Sequence, residues 1–286
     1  MSTSSSAVGP CSQPPTTSLK DLRTSESQVE EIISSRFNFP DADIAFRSSD
    51  QVIFRVHVKN LETHSNGFPP SALCAPGSGE VVDLSEPAAT LDLLFQYMYP
   101  QRQPDLNEIE LSLLADLAEA AEKYEMFSAL EICKIFMGNG LQDNPLTVLN
   151  YAVRHGYRDI ADEAAPLTVS LPLEEVGTHM YPTYMGSWLK YYGEWRKVLE
   201  IACTEGWRIA HTNPCRISNS ATCPHWLGAR QNVLTKLGTR PGALNDLAMI
   251  FTTAHGLYPC AIEGLRQWEY FIVVKVNDIP KFRTFL

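Results

Sequence analysis

A change in hydrophobic spacing between residues 41 and 68 constrains the fold of this chain more than any other feature. Apolar and polar residues alternate through 42–46 and again through 52–56, which predicts two strands. The polar run 48–51 lies between them and predicts a turn, so the two strands should form a hairpin. After His57 the apolar residues recur every three or four positions, which predicts a helix packed back on the hairpin.

Eight side chains in and after this segment match the motif of a known family. They are Asp43, Phe54, His57, Leu61, Ser65, Phe68, Tyr99 and Tyr124. A further strand at 81–84 and two helices, the first ending in Tyr99 and the second in Tyr124, follow in the same order as in the BTB/POZ domain, which this region resembles. The resemblance implies a noncatalytic protein-binding module that forms a homodimer. Many dimeric members place a basic residue directly after the histidine, and here Val58 stands there, so we expect the eight side chains to be scaffold.

The chain divides into four predicted segments, and together they predict an α+β fold. A disordered tail rich in Ser, Thr and Pro covers 1–28, because such a composition buries too little apolar surface to offset the entropy of ordering. A BTB/POZ-like small sheet with helices covers 38–137, a helical extension covers 138–166, and a mainly α-helical region covers 167–286. Fungal proteins of this family resemble the chain in carrying an uncharacterised helical region after the domain. Within that region, 268–276 fits a strand or a final helix.

Four apolar residues before the hairpin fall at helical spacing and predict a short leading helix. They are Val29, Ile32, Ile33 and Phe37. In long-form members of the family such an element is exchanged across the dimer, so the resemblance makes these residues candidate dimer contacts. Packing of the helix on its own domain is the alternative, and the sequence leaves both open.

Residues Leu106 to Glu108 match the apolar-x-acidic pattern that cullin-binding members carry near this point. Leu106 and Glu108 are therefore candidate cullin contacts, and a substrate adaptor of a cullin-type ubiquitin ligase is an alternative function. We prefer a local explanation, in which Asn107 caps the following helix and Glu108 complements the helix dipole.

Charge and composition limit the partners that we expect. A net charge of -10 argues against direct nucleic-acid binding, which needs a basic surface to displace counterions from phosphate. No apolar run approaches the roughly 20 residues that span a bilayer, and the first residues lack the pattern of a signal peptide. The seven cysteines are an odd number and do not suggest a disulfide framework. We therefore expect a location in the cytoplasm or nucleus, with other proteins as partners.

Chemistry-bearing motifs are scarce. Phosphate-loop, nucleophile-elbow and His-Glu-x-x-His patterns do not occur. Cys203, Cys215, Cys223 and His225 are residue types that suit tetrahedral zinc, and they keep a zinc-dependent enzyme in the carboxyl-terminal half as an alternative of a different class. Their spacing lacks the paired short loops that preorganise zinc ligands, so we interpret the cysteines as buried small hydrophobes. We expect no enzyme activity, no cofactor and no metal.

Overall fold

The computed structural model describes residues 31–68, 81–205, 208, 223–257 and 259–286, and only the backbone at 253, 255–257 and 259. The predicted tail at 1–28 lies outside these residues. Four strands form one small sheet: β1 (Ile32–Asn38), β2 (Ile44–Arg47), β3 (Val52–Val56) and β4 (Val81–Asp83). The strand order is β1-β3-β2-β4, with β2 and β3 antiparallel and both outer strands parallel to their neighbours. The predicted hairpin of β2 and β3 is confirmed.

Helices make up most of the rest of the described chain. They are α1 (Val58–His64), α2 (Ala88–Gln96), α3 (Leu111–Lys123), α4 (Phe127–Asn139), α5 (Pro145–His155), α6 (Arg158–Thr168), α7 (Leu173–His179), α8 (Pro182–Thr204), α9 (Pro224–Leu237), α10 (Leu247–Leu257) and α11 (Ile262–Asn277). Short 3-10 helices cover Leu106–Glu108, Pro241–Asp246, Pro259–Ala261 and Phe282–Thr284. The predicted α+β class with a helical carboxyl-terminal part is confirmed, and the open choice at 268–276 resolves to helix α11.

The predicted leading helix is wrong, because Ile32, Ile33 and Phe37 lie in strand β1, which pairs with β3. The register between these strands shifts between Ile33 and Asn38, so the side chains that face the core, Ser34 and Phe37, are three positions apart. A bulge of this kind breaks the two-residue period of a strand, and Ile32 and Ile33, on which the helix prediction rested, are exposed and do not face the core. The sheet therefore begins upstream of the predicted boundary at residue 38.

Two polar side chains, Ser48 and Asp50, join the hairpin turn to helix α2. The Ser48 hydroxyl donates to Asp50 at 2.6 Å and accepts from the Val52 amide at 2.9 Å. Asp50 also accepts from the Ala88 amide at 2.9 Å and thereby caps the start of α2. The Ser48 hydrogen bond is the main reason that the pKa of Asp50 lies below its ordinary value. A residue of the hairpin therefore fixes where α2 begins.

Aromatic residues dominate the core under the sheet. Phe54 and Phe95 meet edge to face with ring centroids 5.4 Å apart, and Phe37 meets Phe95 at 5.7 Å. In the helical part, the Trp188 indole donates to Thr168 at 2.8 Å and the Trp268 indole donates to the Ala202 carbonyl at 3.1 Å. Each of these two buried indoles thus has a hydrogen-bond partner, as a buried polar group requires.

The carboxyl-terminal residues fold back on the centre of the molecule. Phe282 is fully buried and meets the Tyr191 ring of α8 edge to face at 5.3 Å. The Arg283 guanidinium binds the carboxylates of Asp159 and Asp162 on α6, and its amide donates to Asp162 at 2.8 Å. None of the helices in the described ranges combines the length and the apolar character needed to cross a bilayer.

Candidate functional sites

Asp43, His57 and Tyr99 meet at the junction between β3 and α1. The Asp43 carboxylate accepts from the Val58 amide at 2.7 Å, so it satisfies one of the free amides at the start of the helix. The Tyr99 hydroxyl lies 3.2 Å from the His57 amide and 3.0 Å from His57 Nδ1. Burial raises the pKa of Tyr99, which keeps this hydroxyl neutral. These side chains bond to one another and to the backbone of this junction.

Ser65, Phe68 and Tyr124 form a second junction, between the end of α1 and the end of α3. The Ser65 hydroxyl donates to the Tyr124 carbonyl at 2.8 Å, and the Gly67 amide donates to the same oxygen at 2.9 Å. The Phe68 ring stacks on the Tyr124 ring with centroids 4.1 Å apart. This junction therefore fastens α1 to α3 through one carbonyl and one ring.

The Tyr124 hydroxyl continues this junction to Glu86. It donates to Glu86 Oε2 at 2.6 Å, while the Lys123 ammonium donates to Glu86 Oε1 at 2.7 Å. Burial alone would raise the pKa of Glu86, but the hydrogen bonds from Lys123 and Tyr124 outweigh it and hold that pKa below its ordinary value. Burial raises the pKa of Tyr124. The carboxylate is thus ionised and the phenol neutral over a wide range of pH.

Phe54 and Leu61, the other two residues of the motif, are core side chains that are almost fully buried. All eight motif residues therefore pack or bond inside the domain. The geometry gives them structural roles, and a partner would have to be recognised by other side chains.

Strand β1 presents the candidate dimer contacts in two different environments. In the described sheet it pairs only with β3, so it lies at an edge. Ile32 is 60% exposed and Ile33 is 37% exposed, whereas Phe37 is 1% exposed and belongs to the core. Val29 lies outside the described residues. The accessible apolar surface of this strand is therefore Ile32 and Ile33.

The candidate cullin contacts are also separated by burial. Leu106 is 3% exposed, and its side chain packs in the core, whereas Glu108 is exposed. The predicted cap is wrong, because the residue that precedes α3 is Glu110, and Asn107 lies inside a 3-10 helix that Asp105 caps by accepting from the Asn107 amide at 3.0 Å. Of the two candidates, Glu108 alone is accessible to a partner.

The residues named as zinc ligands do not come together as a set. Cys203 is half-buried in α8, and Cys215 lies outside the described residues. Cys223 and His225 do lie together, and a third residue, Cys260, joins them. Sequence reasoning missed Cys260 because it is 37 positions from Cys223 and only the packing of separate helices brings it near.

No protein-family model matches this sequence, and no curated protein matches it significantly.

Proposed function

We propose that this chain is a noncatalytic protein-interaction module of the cytoplasm or nucleus, which self-associates through a BTB/POZ-like amino-terminal domain and holds other proteins. The observation that carries the proposal is the exposed edge strand β1. An edge strand offers backbone donors and acceptors to another chain, and proteins that avoid such pairing protect their edges with charge, proline or covering elements. The exposed Ile32 and Ile33 side chains instead leave apolar surface accessible on β1.

A second copy of this chain is the occupant that fits the edge. Two identical strands can pair about a twofold axis, which buries both apolar pairs and satisfies both edges in one closed contact. The interior face of β1 is already occupied, because Phe37 packs against Phe54, Phe95 and Tyr99. Self-association through the outer edge therefore leaves the domain core intact.

The test is light scattering of the full chain, with the wild type compared with an Ile32→Asp/Ile33→Asp double variant. We expect a dimer for the wild type and a monomer for the variant, because two carboxylates on the edge cannot be desolvated by pairing. Leu173→Asp/Leu189→Asp is the matched control, since both leucines are more than half exposed on helices of the carboxyl-terminal part. A wild-type monomer, or a dimer that survives the β1 substitutions, would overturn the proposal.

A further inference from the structure

Three side chains of the helical region converge on one point. Cys223 Sγ and Cys260 Sγ are 3.7 Å apart, and these two atoms and a ring nitrogen of His225 all lie within 4.8 Å of one another. Cys223 is buried, Cys260 is half-buried and His225 is exposed. The cluster therefore has a buried thiol side and a side that water and ions can reach.

Local structure explains why these residues meet. Cys223 is the residue directly before α9, Pro224 begins the helix, and His225 follows in its first turn. Cys260 lies in the 3-10 helix that leads into α11. The starts of α9 and α11 are held together by Trp226, which packs on Gly264 so closely that a Cβ there would lie 3.0 Å from the indole. The ligand positions are thus set by packing and do not depend on an ion.

The separation of the two sulfurs suits a tetrahedral metal ion, and the His225 nitrogen lies close enough to complete a set of sulfur and nitrogen ligands. Two thiolates bound to one zinc ion at about 2.3 Å lie roughly 3.8 Å apart in a tetrahedral arrangement. The sulfurs of a disulfide lie only about 2.05 Å apart. Thiolate and imidazole ligands select zinc over magnesium or calcium, which prefer oxygen.

We propose that Cys223, His225 and Cys260 bind one zinc ion. Both thiols release their protons to solvent on binding, so two thiolates balance the charge of the ion, and water takes the fourth position. The ion joins the start of α9 to the start of α11. This site replaces the expectation of no metal, which weighed Cys203 and Cys215 and overlooked Cys260.

Cobalt titration of the full chain tests the site directly. The protein is purified in the presence of a non-thiol reductant, stripped with a chelator and titrated with Co²⁺. We expect one equivalent to bind, with thiolate-to-cobalt charge-transfer bands and the visible bands of a tetrahedral ion, and one equivalent of Zn²⁺ to displace it. Absence of these bands, or a Cys223–Cys260 disulfide that persists under reductant, would overturn the proposal.

Variants assign the ligands. Cys260→Ser and Cys223→Ser should weaken the charge-transfer bands and lower cobalt affinity at least about tenfold, since removing even an outer-shell partner of a ligand costs that much. His225→Ala should lower affinity similarly, and because its side chain is exposed it tests the site even if a cysteine variant misfolds. Cys203→Ser is the matched control and should bind as the wild type does. Unchanged binding in all three ligand variants would contradict the assignment, while the light-scattering test of self-association stands apart from it.

Discussion

At the scale of single residues, Asp43 and Ser65 act through hydrogen bonds between their side chains and the backbone of another element. Asp43 binds the Val58 amide, and Ser65 binds the Tyr124 carbonyl. The sequence indicates which residues carry the motif, but the partner atoms depend on the way α1 and α3 pack. Asp50 illustrates the difference, because it caps α2 from a distant turn, and no local pattern marks it for that role.

The Tyr124–Glu86 hydrogen bond should be visible in the pH dependence of stability. Tyr124→Phe removes one of the three side-chain donors to the Glu86 carboxylate, which is only 12% exposed, and we expect a loss of about 1.5–3 kcal/mol of unfolding free energy near neutral pH. The pKa of Glu86 is depressed in the folded state, so this contribution is present above the unfolded pKa of about 4.3 and is lost as the pH falls through the folded value.

Urea unfolding of the wild type and of Tyr124→Phe, near neutral pH and at about pH 3, measures the effect. The difference in unfolding free energy between the two proteins should be smaller at the lower pH. Tyr270→Phe is the matched control, because that ring is 71% exposed, and its stability should stay near that of the wild type. A difference between wild type and Tyr124→Phe that is the same at both pH values would contradict the role given to Glu86.

At the scale of elements, the contact of α9 with α11 depends on the absence of a side chain at Gly264. Gly264→Ala places a methyl group about 3.0 Å from the Trp226 ring, so the indole must shift by a few tenths of an ångström to admit it. Gly193→Ala in α8 is the matched substitution, since nothing lies within 4 Å of its added Cβ. We expect Gly193→Ala to stabilise by about 0.5–1 kcal/mol through helix propensity.

The unfolding free energy of Gly264→Ala should be lower than that of Gly193→Ala by roughly 1–3 kcal/mol, because overpacking against Trp226 opposes the same gain in helix propensity. Chemical denaturation of the two variants, with helix content checked by circular dichroism, measures the difference. An equal gain in both would show that Trp226 can move without cost.

The helices and strands differ in how well local sequence patterns predict them. The hairpin and the mainly helical carboxyl-terminal region follow from local periodicity, and the structure confirms them. Strand β1 was predicted as a helix because the apolar residues Ile32, Ile33 and Phe37 fall at helical spacing, although only Phe37 of these faces the core. The parallel pairing of β1 with β3 and of β2 with β4 joins segments that do not follow one another, and no local pattern encodes it. The metal cluster has the same origin, because Cys260 meets Cys223 only through packing.

At the scale of the whole molecule, the 3-10 helix at Phe282–Thr284 contacts both α6 and α8 and stabilises their packing. Phe282→Ala should lower the unfolding free energy by about 3–5 kcal/mol, because the ring is fully buried and its loss leaves a cavity against Tyr191. Leu286→Ala, at a side chain that is 49% exposed, should change it by less than about 0.5 kcal/mol.

Thermal or urea unfolding measures both variants, and hydrogen exchange distinguishes global from local loss. The amides of α6 should lose protection in Phe282→Ala, because Arg283 can then no longer hold Asp159 and Asp162. Unchanged hydrogen exchange across α6 in Phe282→Ala, together with near-normal stability, would mean that the 3-10 helix at Phe282–Thr284 does not stabilise α6.

The sequence distance between Arg283 and its partners on α6 has a consequence for biosynthesis. Arg283 binds a carboxylate 121 positions upstream, and at about 5–20 residues per second a ribosome needs roughly 6–24 s to make the intervening chain. During that interval the Asp159 and Asp162 carboxylates of α6 lack the guanidinium that pairs with them, so a nascent chain exposes this acidic side of α6 until Arg283 is made.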